Sequence, residues 1–127
     1  MSWQGMAPHT RTFQQTPSVS IGSGGALYLN TFAMINYFKE IEAVAILYDP
    51  IASKLGIQAA SPNDMDVFRL GFSNKSATTG VISARSVVKR LSLPYDKATL
   101  IFDEVKWDSK ARILEVNLKS YKERKRD

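Results

Sequence analysis

The chain has 127 residues, 44% of them hydrophobic and 23% charged, with a formal net charge of +5. Those fractions exclude a wholly disordered or collagen-like chain, and the absence of cysteine excludes a disulfide scaffold, thiolate zinc sites and cysteine catalysis. No apolar run approaches the roughly 18 residues of a membrane span, and residues 1–17 lack the basic-then-apolar order of a signal peptide, so a cytoplasmic protein without membrane contact is expected.

Residues 1–17, rich in Gln and Thr and broken by Pro8 and Pro17, read as an extended N-terminal arm. Val19 and Ile21 then alternate with Ser18 and Ser20, the period of a half-buried strand. Gly22-Ser23-Gly24-Gly25 makes a tight turn, and Leu27 and Leu29 return as a second strand. Asn30-Thr31 caps a helix predicted near 32–41, with Phe32, Ile35, Phe38 and Ile41 as its apolar stripe. Ala43–Tyr48 reads as a buried strand, and Asp49-Pro50 turns it back into a hairpin partner carrying Leu55, Ile57 and Ala59. Ser61–Asp64 is a polar break.

Phe68, Leu70 and Phe72 alternate as the next strand, followed by a polar loop over 73–80 and a brief strand at Val81-Ile82. Ser83 is the candidate cap of a helix predicted near 84–92, which Pro94 stops. Thr99–Trp107 and Ala111–Leu118 form a hairpin about Asp108–Lys110, and 119–127 is a basic tail. The order strand, strand, helix, strand, strand therefore occurs twice. It predicts an α+β chain of two pseudo-repeated ββαββ units, 18–62 and 63–118, sharing one β-rich core of about eight strands. Ile35, Phe38, Val44, Ile46, Leu70, Phe102, Leu114 and Val116 are its expected buried residues.

A unit with a glycine turn, a short apolar strand, a capped helix and a closing hairpin resembles the AbrB-type swapped-hairpin domain. Two such units resemble the tandem arrangement of MraZ-type proteins. The resemblance implies interlocked hairpins and DNA contact through arginines at the looped strand and helix ends. In the first unit those basic positions fall on Ala26, Met34 and Ile35. In the second, Lys89 holds one helix position with Arg90 beside it, while Val88 holds the other. The proline expected at the helix entrance is replaced by Asn30 and Ala84. The implied DNA contact thus shifts to the second unit.

Charge agrees with that asymmetry. Residues 1–62 are neutral, and the basic excess lies in the second half and the tail. Clustered cations bind phosphate by displacing condensed counterions. The expected nucleic-acid-binding set is Arg69, Lys75, Arg85, Lys89 and Arg90, with Lys119, Lys122, Arg124, Lys125 and Arg126 from the tail. A solvated helix face and a solubilising tail are the plain alternatives. Tyr28, Tyr95 and Tyr121 are the aromatics left open for base stacking.

Other chemistry is poorly represented. The glycine run leads into a strand and lacks a following Gly-Lys-Ser/Thr, so it reads as a hairpin turn and not a phosphate cradle. His9 is the single histidine and lies in the arm, which gives no metal set or hydrolytic pairing. Asp64/Asp66 and Asp103/Glu104 read as solvated charge. The sequence therefore leads to a non-enzymatic, cofactor-free, small DNA-binding regulator. The alternative is an assembly or adaptor subunit that binds a protein partner or self-associates through its neutral first half and its arm.

Overall fold

Apolar residues at alternate positions build most of this chain into strands. A computed structural model describes residues 16–73 and 76–125. The elements are β1 (Val19–Ile21), β2 (Ala26–Leu29), α1 (Thr31–Tyr37), β3 (Ala43–Asp49), β4 (Lys54–Ala60), β5 (Phe68–Ser73), β6 (Ser76–Ser83), α2 (Arg85–Arg90), β7 (Ala98–Phe102), β8 (Val105–Asp108), β9 (Ile113–Asn117) and β10 (Lys122–Lys125). They form one antiparallel sheet in the order β10-β7-β1-β2-β6-β5-β3-β4-β9-β8. No helix among the described residues is long and apolar enough to cross a membrane.

Chain connectivity forces this sheet to curl. β7 is second in the strand order and β8 is last, yet only Asp103 and Glu104 separate them. Three Cα steps reach at most about 11 Å, whereas the same strands in a flat sheet would stand about 38 Å apart at a spacing of ~4.8 Å. The sheet accordingly closes into a curled half-barrel. Its two ends are the two halves of one long hairpin. Val105 faces Val116 in one half and Ile101 faces Lys122 in the other. The joint between them is held by the Asn117 N–H donating to the Glu104 carbonyl at 3.0 Å.

The concave face is the core. Val19, Ile21, Leu27, Leu29, Ile82, Leu100, Phe102, Leu55, Ile57 and Leu114 all turn inward and are buried. Burial of each such side chain is worth about 1.5–3 kcal/mol. α1 lies across this face. Its start is set by Asn30, whose Oδ1 accepts the Ala33 N–H at 3.1 Å, leaving one fewer orphan amide in the first turn. Tyr37 stacks on Trp107 of β8 at 4.4 Å between ring centroids. Gly80 makes room for the helix, since a β-carbon there would collide with the Met34 side chain and come within 3.2 Å of Leu70 Cδ1.

These facts correct the expected fold class. The chain is mostly β, 48% strand and 15% helix, and is not an α+β pair of ββαββ units. The reason lies in the pairing. β1 pairs with β7, β2 with β6, β3 with β5 and β4 with β9, so every strand of the first half is bonded to one of the second. The helices are also shorter than expected, at seven and six residues.

Several local expectations change with it. The stripe through Ile35 is out of phase. Ala33 and Met34 face the core and Ile35 is 61% exposed, a rotation of about 100° on a helix of 3.6 residues per turn. Ile46 is only half-buried, while Phe38, Val44, Leu70, Phe102, Leu114 and Val116 are buried. The polar stretch after Phe72 is largely strand, because β6 finds β2 on one side and β5 on the other to satisfy its backbone. α2 is capped by Ala84, not Ser83, and has no side-chain cap bond. Thr99–Trp107 is interrupted at Asp103-Glu104, and the tail contributes the edge strand β10. Residues 1–15 of the expected arm lie outside the described residues.

Candidate nucleic-acid interface

Strand register decides which cations meet. Arg124 of β10 faces Thr99 of β7. Leu100 faces Ile21, so the next residue, Gly22, is level with Thr99. Ala26, where the glycine turn re-enters the sheet, faces Ser83 of β6. One step beyond the Leu70–Ile82 pair, Ser83 is level with Arg69 of β5. A single transverse row thus carries Arg124 at one side and Arg69 at the other, about 24 Å apart along the sheet at ~4.8 Å per strand.

α2 follows this row at the end of the sheet, with Ala84 and Val88 buried in the core. Two residues after Ser83, Arg85 begins the helix and lies against the glycine turn. The turn is closed by the Gly25 N–H donating to the Gly22 carbonyl at 3.2 Å and the Gly22 N–H donating to the Ala26 carbonyl at 3.0 Å. Gly24 and Gly25 both have φ of 79°, which L side chains adopt only under strain. A β-carbon on Gly25 would stand 3.0 Å from Arg85 Cα. The turn and the helix therefore fit because residue 25 has no side chain. Lys89 follows Arg85 by four residues and shares its helix face, with Arg90 adjacent.

Outward-facing positions complete the surface. Leu100 and Phe102 point into the core, so Thr99 and Ile101 point to the convex side, and their cross-strand partners Arg124 and Lys122 do the same. Ser20, Tyr28, Val81, Ser83 and Arg69 occupy that face on the neighbouring strands. Among the described residues of these six strands the only acidic side chain is Glu123, on the alternate phase. Lys122 is tied to Asp103 at 3.5 Å, with both side chains well exposed.

Of the sequence-derived set, then, Arg69, Arg85, Lys89, Arg90 and Arg124 lie at one end of the sheet, with Lys122 on the same convex face as Arg124, whereas Lys125 falls on the opposite phase of β10, level with Ala98. Lys119 does not join them. It lies in the turn after β9, where its N–H donates to Asn117 Oδ1 at 3.0 Å. Lys75 and Arg126 lie outside the described residues. Sequence reading missed Lys97, which is exposed immediately before β7 at the cationic end. Its signal was proximity to a strand start beside the tail. It also missed Ser20 and Ser83, the polar members of alternating strands.

Tyr28 covers Gly22, Tyr95 is half-buried, and Tyr121 packs on Phe102 at 5.4 Å between centroids, so none is a free stacking platform. A shallow cleft of about 180 Å³ lies elsewhere, over Gly56 on β4, bordered by Leu47, Lys54, Asp108, Ile113 and Glu115. Its charges are mixed, and the Lys54–Glu115 pair at 3.7 Å lies within it. No group of three or more His, Cys, Asp or Glu side chains among the described residues is arranged to hold a metal ion.

No family model matches the chain, and neither a curated protein nor a solved structure does. The resemblance read from the residue pattern rests on that pattern alone.

Proposed function

We propose that this protein binds nucleic acid, with duplex DNA as its ligand, through the convex cationic end of the sheet. The observation that carries the reading is the register row that places Arg69 of β5 and Arg124 of β10 on one convex face, with Arg85 of α2 against the glycine turn between them. Arg69, Arg85 and Arg124 are far apart in sequence, and all three are exposed. Duplex is favoured over single strands because the exposed aromatics among the described residues, Tyr48 and Phe72, are not on this face, and Tyr28, which is, is spent covering Gly22. A single-strand site draws much of its affinity from base stacking on such rings, whereas a duplex offers a dense row of phosphates to guanidinium and ammonium groups.

Phosphate contacts position a protein on DNA without reading bases. The chemistry available at this surface is therefore chiefly electrostatic, with Ser20 and Ser83 as additional hydroxyl donors. The test is a salt titration of binding to a mixed-sequence duplex and to the corresponding single strand. Affinity for duplex should fall with a log–log slope of about −0.9 per phosphate contact. The double variant Lys89→Ala/Arg90→Ala should weaken binding and flatten the slope by about the contacts removed. Undetectable binding at low salt to any nucleic acid would refute the proposal.

A further inference from the structure

β3 pairs along its whole length with β4 but reaches β5 only through Ala43 and Val44. The Glu42 carbonyl accepts the Leu70 N–H at 2.9 Å. That bond sets the phase of the edge. Alternate residues of an antiparallel strand point their N–H and C=O to the same side, so Val44, Ile46 and Tyr48 direct theirs toward the β5 side. β5 begins only at Phe68, and Asp66, at φ 57°, turns the chain before it can pair with Ile46. Ile46 and Tyr48 thus present backbone donors and acceptors to an edge with no strand beside it among the described residues.

The side chains around this edge are apolar and open. Leu47 is 44% exposed, Tyr48 50%, and Ile51, in the following turn, 94%. Edge strands are usually protected by charge, proline or a bulge. β10, with Lys122, Glu123, Arg124 and Lys125, is protected in that way. Ala45–Tyr48 carries no such device; Asp49 ends the strand and Pro50 follows it.

We infer that this edge pairs with the same edge of a second copy of the chain, antiparallel about a two-fold axis through Leu47. The sequence of the edge is self-complementary in that register. Ile46 meets the second copy's Tyr48, and both are residues whose backbone groups point outward, so each pair exchanges two hydrogen bonds. Ile46 and Tyr48 also share one face of the strand, which makes a β-branched–aromatic pair of the favourable kind. Leu47 meets Leu47 on the other face. Asp49 meets Ala45, which keeps the two carboxylates from facing each other. An isologous contact of this kind closes at two copies. The contact area is small beside the 1,200–2,000 Å² of stable interfaces, so the dimer is concentration-dependent.

The experiment uses the full chain without nucleic acid. Sedimentation velocity from micromolar to millimolar protein should show a concentration-dependent shift from monomer to dimer, which Leu47→Lys abolishes by opposing two ammonium groups at the axis. A second variant reads the register directly. Facing residues of a non-hydrogen-bonded pair have Cα atoms about 4.5 Å apart, within disulfide range, and the natural chain has no cysteine to compete. Leu47→Cys should therefore oxidise to a covalent dimer, whereas Ile51→Cys, off the axis, should not. A chain that stays monomeric at every concentration with no Leu47→Cys cross-link overturns the inference, and leaves the edge to a strand from another protein. Undiminished dimerisation of Leu47→Lys, or equal cross-linking at residues 47 and 51, overturns it as well.

Discussion

Arg85 occupies the space where Gly25 would carry a side chain: a β-carbon on Gly25 would lie 3.0 Å from Arg85 Cα and 3.2 Å from its Cγ. The contact ties the turn between β1 and β2 to the first residue of α2, and so fixes where the helix presents Arg85 and Lys89. Gly24 has the same φ of 79° but nothing within 4 Å of its missing β-carbon. Gly24→Ala should cost about 1–2 kcal/mol, the backbone strain alone. Gly25→Ala should cost more, because Arg85 backbone must also move, and should lower duplex affinity together with stability. Denaturant melts and binding titrations of the two variants separate strain from displacement.

The phase of α1 makes a second prediction. Phe38 is fully buried and meets Trp107 edge-on at 6.2 Å between centroids, while Ile35 is exposed. Phe38→Ala should destabilise the chain by about 3–5 kcal/mol, as expected for a large aromatic removed from a packed core. Ile35→Ala should change stability by no more than about 0.5 kcal/mol. Equal losses at the two sites in urea unfolding would mean that the helix presents a different face.

A third prediction concerns the C-terminal segment. β10 covers the outer edge of β7, and Tyr121 packs against Phe102. Truncation after Leu118 removes charge, but it also uncovers Ala98–Phe102, an apolar edge. The truncated chain should melt at lower temperature and aggregate at concentrations where the full chain does not. Light scattering during a thermal ramp reads both effects.

Charge reversals map the proposed surface. Arg124→Glu places a carboxylate on the convex cationic row and should weaken duplex binding and reduce its salt slope. Lys110→Glu makes the same change of charge in the exposed turn between β8 and β9. It should have a much smaller effect on affinity, mediated only by net charge over distances beyond the roughly 10 Å screening length at 0.1 M salt. Equal loss in both would mean that total charge, not the row, sets binding.

Lys122 offers a finer distinction. Its partner Asp103, 3.5 Å away, holds it in an exposed pair worth under about 1 kcal/mol. Asp103→Asn should therefore leave thermal stability nearly unchanged while strengthening duplex binding, by removing the carboxylate that competes with phosphate for Lys122. Calorimetric melts and the same titration check the two halves of that expectation. A drop in affinity would show that the pair positions Lys122 for its contact.

What the sequence determined by itself is local. Val19/Ile21 and Leu27/Leu29 show their strand phase because burial on one face demands every second residue. Gly24 and Gly25 announce a turn because few other residues accept its φ. Asn30 announces a helix start because its side chain can take an orphan amide. Each signal concerns residues a few positions apart. The tertiary structure decided what such signals cannot reach: that β1 and β7, or β4 and β9, share a ladder; that 98–108 divides its two halves between opposite ends of the curled sheet; and that the basic tail becomes an edge strand. It also turned Ile35 outward, because Met34 had the space above Gly80, a residue far along the chain. Above all it set the distance between Arg69 and Arg124, since hydrogen-bond register between distant strands, and not spacing in the chain, places their charges in one row.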